Sequence, residues 1–170
     1  RLHDEIVDTF DFETFLSSTA NSAGTSRREG VEAELAWQLA PWLRLSANYA
    51  FLRATQPDSA GGAQVTELRR PKHSGSVVAD GASGRWSYGA SLVYAGARRD
   101  FLEVQPFAIA RVDPYWLASA RVAYSVRRGV DLFARGTNLF NQDYEESAGY
   151  KTEGRGLFVG LRLAGRRSSP

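Results

Sequence analysis

An all-β fold is predicted for this 170-residue chain, arranged as an antiparallel up-and-down meander of about eight strands. Three observations carry the prediction. Apolar residues recur at every second position through most patterned segments, the period of side chains on a strand. Connections alternate between short turns and long polar or glycine-rich stretches, as strands running back and forth require. No segment carries a helical period.

The elements follow in order. Segment 6–12 is a weak strand. Val31, Ala33, Leu35, Trp37 and Leu39 then share one phase, with Glu32, Glu34 and Gln38 opposite. Leu43, Leu45, Ala47, Tyr49 and Phe51 alternate with Arg44, Ser46 and Asn48. After a weak strand at 73–79, Trp86, Tyr88, Ala90, Leu92 and Tyr94 oppose Arg85, Ser87 and Ser91. Trp116, Ala118, Ala120, Val122, Tyr124 and Val126 oppose Ser119, Arg121 and Ser125. A weak strand at 130–138 precedes Leu157, Val159, Leu161 and Leu163, which oppose Arg162. Short turns are expected at 40–41, 80–84 and 127–129, and long loops at 13–26, 55–70, 98–113 and 141–154.

Composition narrows where such a sheet can live. Mean hydropathy is −0.34, and no apolar run approaches the roughly 18 residues of a spanning helix. A spanning strand needs only about 9–11 residues, half of which can be polar. Short turns at one end and long loops at the other is the asymmetry of outer-membrane barrels. Trp37, Trp42, Trp86 and Trp116 lie near strand ends, where amphipathic rings favour the headgroup level. Glu32, Arg44, Arg121 and Arg162 fall at mid-strand on the other face, which suits a wet lumen. The meander therefore reads as a segment of a transmembrane β-barrel. A soluble β-sandwich whose core is capped by the same rings is the alternative.

The chain has no cysteine, which removes disulfide frameworks and thiolate metal sites. It has no methionine and no signal peptide, so it is expected to begin inside a longer protein or after processing. Net charge is +2, and the basic residues, all arginine except Lys72 and Lys151, are spread among acids. No nucleic-acid partner is expected.

Segment 138–161 reads NLFNQDYEESAGYKTEGRGLFVGL. It resembles the C-terminal signature of TonB-dependent outer-membrane receptors in Asn138-Leu139-Phe140, Asp143-Tyr144 and Gly154-Arg155. Gly30-Val31-Glu32, the run Arg69-Arg70-Pro71-Lys72-His73 after Asn48-Tyr49, and Tyr94-Ala95-Gly96 with Arg98 are similar to further strand starts and re-entries of that family. The resemblance implies the C-terminal portion of a plugged barrel of about 22 strands, with residues 1–163 as barrel and 164–170 as a polar tail. It also implies a Gram-negative outer membrane, contact with its lipid and lipopolysaccharide, and coupling to the TonB system through a plug domain that has no counterpart in this chain. Tyr144-Glu145, Gly149-Tyr150, Thr152 and Gly154-Arg155 look most like vitamin B12 (cobalamin) receptors; ferric-siderophore receptors share the framework. Family members usually end on an aromatic residue, whereas here a polar tail follows Leu163.

Catalytic chemistry finds no foothold. His3 and His73 are the only histidines, and the sequence lacks a metalloprotease helix motif, a nucleophile turn and a Cys/His cluster. Glu32 and Glu34 share a face, a spacing that fits arginine partners on a lumen wall better than an acid–base pair. No enzyme activity, metal or cofactor is expected. Ligand contact is expected from the outer loops: Phe101, Phe107 and Tyr150, with Arg98, Arg99 and Arg111 for an anionic group; rim arginines also suit lipopolysaccharide phosphates. Gly30, Glu32, Arg70, Pro71, His73, Asn138, Leu139, Phe140, Tyr144, Gly154 and Arg155 are expected to be framework. The function expected is an active-transport receptor for cobalamin or a ferric siderophore. A small autonomous barrel acting as adhesin or passive pore is the alternative.

Overall fold

The computed structural model describes residues 2–3, 6–11, 14–21, 24–58, 63–103, 105 and 107–164. All regular structure in them is β. The strands begin with β1 (Leu2–His3), β2 (Ile6–Asp11), β3 (Leu16–Asn21), β4 (Thr25–Ala40) and β5 (Leu43–Pro57). Next come β6 (Gln64–Thr66), β7 (His73–Ser83), β8 (Trp86–Ala95), β9 (Arg98–Phe101) and β10 (Ile109–Val112). The last are β11 (Tyr115–Arg127), β12 (Val130–Thr137), β13 (Glu145–Ser147), β14 (Tyr150–Lys151) and β15 (Gly156–Leu163).

β4, β5, β7, β8, β11, β12 and β15 form one antiparallel wall in that order, with β1 beside β4 and β6 paired to the end of β5. This is the expected meander. Register keeps the two phases apart, since a slip of one residue would exchange every face. Val31 lies opposite Phe51, Ala33 opposite Tyr49 and Trp37 opposite Leu45. At the other edge Leu132 faces Leu161 and Ala134 faces Val159.

The short turns use left-handed glycines, Gly84 at φ 59° and Gly129 at φ 79°, which let the chain reverse within two residues. One turn is shorter than residues 80–84 suggested, because β7 runs on to Ser83. Asp80 belongs to the wall: it accepts a 2.7 Å bond from Arg121 Nη2, reaching over Gly89, where a Cβ would lie 2.6 Å from its Oδ1.

The long connections differ more from expectation. Residues 98–113 fold as the β9–β10 hairpin, 141–154 contain β13–β14, and 55–70 contain β6. Residues 13–26 contribute β3 and the start of β4. Segment 6–12 is no wall strand; its described part, β2, pairs with β3 in a separate two-stranded sheet. Backbone beyond the wall has no neighbouring strand, so its N–H and C=O groups pair locally.

The wall has no apolar interior. Among the described residues the buried hydrophobic side chains are Ala54, Val112, Tyr115 and Ala148, and none lies in the alternating apolar phase. Val31 is 66% exposed and Val159 85%. A soluble sandwich would cover one face of each sheet with the other, so the sandwich reading fails.

Aromatic rings mark two levels on the apolar face. Near the long-loop end Tyr49, Tyr94 and Trp116 share a row across Gly75, and the rings of Tyr94 and Trp116 lie 4.5 Å apart. Near the short turns Trp86 packs on Tyr124 at 4.8 Å and Trp42 meets Tyr88 edge-on at 6.5 Å. From Trp86 to Tyr94, and from Trp116 to Tyr124, the levels are eight residues apart. At roughly 3.3 Å per residue and a tilt near 40° this is about 20 Å of height, comparable with the apolar band between two aromatic girdles.

Candidate functional site

The outer rim is built on Asn138, in the left-handed region at φ 45°, which asparagine tolerates better than most side chains. Its amide donates to the carbonyls of Gln142 at 2.9 Å and Glu153 at 3.3 Å, and its Oδ1 accepts from Gln142 N at 2.9 Å. Gln142 Oε1 in turn accepts from Trp116 N at 2.8 Å. Asn141, also left-handed at φ 51°, accepts Arg155 N at 3.0 Å, with Gly154 packed beside it. Leu139 N donates to Ala118 O, and Phe140 is exposed. Tyr144 packs against Tyr115 with ring centroids 4.6 Å apart and planes tilted by 46°, and its carbonyl accepts both N–H and hydroxyl of Thr152. These residues place the last loop on the last strand.

Earlier framework positions are dispersed along the wall. Gly30 allows close approach of β5, since a Cβ there would lie 2.4 Å from Phe51 O. Glu32 lies on the polar face opposite Ala50. Arg70 Nε pairs with buried Glu67 at 2.5 Å, and Arg28 Nε does so at 2.8 Å; Pro71 follows as the chain re-enters the wall. His73 lies on the apolar face, sharing a 2.8 Å hydrogen bond with Tyr49 Oη.

Three outer segments meet at Asp100, which is fully buried. Its Oδ1 accepts from Arg69 Nε at 2.6 Å and Phe101 N at 2.8 Å, and its Oδ2 from Ala148 N at 3.0 Å. Burial pushes the carboxyl up, but these donors outweigh it and hold Asp100 below the usual carboxylate range. Bonds from Asp100 and Glu103 raise the Arg69 guanidinium further. Arg69 is left-handed at φ 62°, its N–H donating to Arg99 O at 2.7 Å. Sequence reasoning placed Arg69 in a re-entry motif but gave it, Asp100 and Glu103 no part in a site; the charged run Arg98-Arg99-Asp100 was the one local signal for Asp100.

Around this clasp lies a recess of about 420 Å³ lined by Arg69, Phe101, Glu103, Tyr150, Lys151 and neighbours. Of the six expected ligand residues it brings together Phe101 and Tyr150. Phe107, strained at φ 50° and 55% exposed, lies at the tip of the β9–β10 hairpin. Arg99 and Arg111 are cross-strand partners on that hairpin, Arg111 reaching Asp113 at 3.3 Å. Arg98 turns inward: Nη2 donates to Glu145 O at 3.1 Å and Glu146 O at 2.7 Å, and its guanidinium lies over the Tyr115 ring. Among the described residues no three His, Cys, Asp or Glu side chains are grouped as metal ligands, and no helix is long and apolar enough to cross a membrane.

An open antiparallel wall with one apolar face, two aromatic levels and elaborated loops at one end defines a portion of an outer-membrane-type β-barrel. Residues 1–139 match the family model for the TonB-dependent receptor-like β-barrel. The chain belongs to that family, whose members are outer-membrane receptors. Among solved structures it is similar to the ferric-catecholate import receptor Fiu from Escherichia coli K12, with a TM-score of 0.70 and 23% identity over 95% of this chain and 23% of that one. The ferripyoverdine receptor of the Pseudomonas aeruginosa outer membrane gives 0.69 and 16%, covering 95% and 23%. The copper transporter OprC gives 0.68 and 20%, covering 95% and 28%. The chain spans about a quarter of the length of these receptors.

Proposed function

We propose that this chain forms wall and outer loops of an outer-membrane receptor for uptake of a ferric siderophore. The observation that carries the reading is the recess clasped by Asp100, which presents the Phe101 and Tyr150 rings beside Arg69 and Lys151. Flat rings suit a partly aromatic iron chelate, while Arg69 and Lys151 are balanced within the recess by Glu103 and Glu146. Two of the matched structures are named for ferric-catecholate import and for ferripyoverdine, which supports the same substrate class. Arg99 and Arg111 would add positive charge at the mouth, with Phe107 as an edge contact; Arg98 would hold the β13–β14 loop in place. Residues 1–163 would be barrel and 164–170 tail; 165–170 lie outside the described residues. Energy would come from the TonB system acting on a plug domain, and the outer surface would meet lipid and lipopolysaccharide.

Cobalamin is the second reading, from the motif between Tyr144 and Arg155. That motif is engaged in loop architecture through the Tyr115 ring contact and the Asn141 bond, which favours no particular substrate. The autonomous-barrel alternative lacks support because, among the described residues, β1 and β15, the ends of the sheet, do not pair with each other. The test is equilibrium binding of a ferric catecholate, a ferric hydroxamate and cyanocobalamin to the complete gene product in detergent. One ferric chelate should bind, and Phe101→Ala with Tyr150→Ala should weaken it about tenfold or more. Cobalamin binding without chelate binding, or binding indifferent to both substitutions, would refute the siderophore reading.

A further inference from the structure

The charges of the outer recess do not cancel. Arg69 and Lys151 line it together with Glu103 and Glu146, and the buried carboxylate of Asp100 lies beneath. Two cations therefore stand against three carboxylates. Arg69 is already committed on two sides, since Nε donates to Asp100 at 2.6 Å and Nη2 to Glu103 at 2.8 Å. Lys151 lies directly across from Glu145 in the β13–β14 pair. The mouth adds little, because Arg111 is paired with Asp113 at 3.3 Å and Arg98 is turned onto backbone carbonyls. Arg99 lies outside the recess lining. Glu146 itself is held firmly. Its carbonyl accepts from Arg98 Nη2 at 2.7 Å, and two residues on, Ala148 N donates to Asp100 Oδ2 at 3.0 Å. Segment 146–148 is thus pinned to β9, with the exposed Glu146 side chain at the recess. Among the described residues the Glu146 carboxylate has no ion-pair partner.

A fixed carboxylate in a half-enclosed recess is screened less than one in open solvent, so it repels anions and attracts cations at contact range. The faces of the Phe101 and Tyr150 rings act in the same sense, because an aromatic face is negative. We infer that the recess selects ferric chelates by charge, taking uncharged or monocationic ones over anionic ones, with Glu146 setting the preference. This inference rests on the ferric-siderophore reading above and narrows it. Trihydroxamates, uncharged at iron, fall within the selected class. Fully deprotonated tris-catecholates, which are trianionic, fall outside it.

The test uses one linear ferric trihydroxamate with its terminal amine free, acetylated or succinylated, so that charge varies on a constant chelate. A ferric tris-catecholate is the further ligand, and equilibrium binding is measured on the complete gene product folded in detergent. The free-amine form should bind at least about tenfold more tightly than the succinylated form, with the acetylated form between them. Glu146→Gln should cut that ratio about threefold or more. Raising salt should weaken the cationic form and strengthen the anionic one, opposite signs that a purely structural role for Glu146 does not produce. Tighter binding of the succinylated form, a ratio unchanged in Glu146→Gln, or salt moving both forms alike would overturn the charge selection. Binding of the tris-catecholate above every trihydroxamate would overturn it too, while leaving the siderophore reading intact. Binding of no ferric chelate would remove both. Should Glu146→Gln give no heat-modifiable species, the charge series and its salt dependence on wild type decide alone.

Discussion

Asn138 combines a conformation few side chains tolerate with three hydrogen bonds none of its isosteres can reproduce together. Asn138→Gly keeps the backbone free and loses the bonds; Asn138→Ala loses the bonds and adds left-handed strain of about 1 kcal/mol. The alanine variant should therefore be the less stable of the two, by about that amount, in urea unfolding of the complete gene product; equal midpoints would contradict it. Asp100 supports a second prediction. Its folded value is depressed, so its contribution is fully present above the ordinary carboxylate value near pH 4 and lost as pH falls through the depressed one. Exchange protection of the Phe101 and Ala148 amides should persist at pH 5 and collapse only at lower pH. Asp100→Asn should weaken it at neutral pH, and loss already at pH 5 would disprove the clasp. The motif 138–155 was legible because its residues act through local turns. Asp100 was not, because its donors come from Arg69 and Ala148, 31 and 48 residues away.

At the scale of the strand, alternation makes a sharp contrast available. Ala120 and Ser119 are neighbours on β11, midway between Trp116 and Tyr124, and they project to opposite faces. Ala120→Arg should destabilise folding in bilayers by about 2–4 kcal/mol, while Ser119→Arg on the wet face should cost little. Reversal of that order would exchange the faces assigned here. Period two was readable in β4, β5, β8, β11 and β15 because one face meets a medium of uniform chemistry; β7 and β12 read only as weak strands. The short hairpins were not readable: β9, β10, β13 and β14 have two to four residues each, too few to show a period. Asp80-Gly81 misled for a related reason, since residues typical of turns are here used to admit a ring and an ion pair into the wall.

For the molecule as a whole, strand parity decides what the wall can do. Seven strands, each antiparallel to the next, leave β4 and β15 running in the same direction, so those two cannot close by antiparallel pairing. β1 covers β4 only at Thr25 and Ser26, leaving the rest of that edge open among the described residues. Open edges are not tolerated in hydrocarbon. The 170-residue chain refolded alone in detergent should therefore give no heat-modifiable monomer, whereas the complete gene product should; a compact SDS-resistant monomer from the isolated chain would refute this. By itself the sequence determined the all-β class, the two faces of the wall and the end that carries the loops, because each follows from local periodicity and turn chemistry. Tertiary structure alone decided which loops meet at Asp100, and that Phe101 and Tyr150 share one recess while Phe107 does not. Those facts depend on register between strands distant in sequence, set by pairing across the whole sheet and carried by no local pattern.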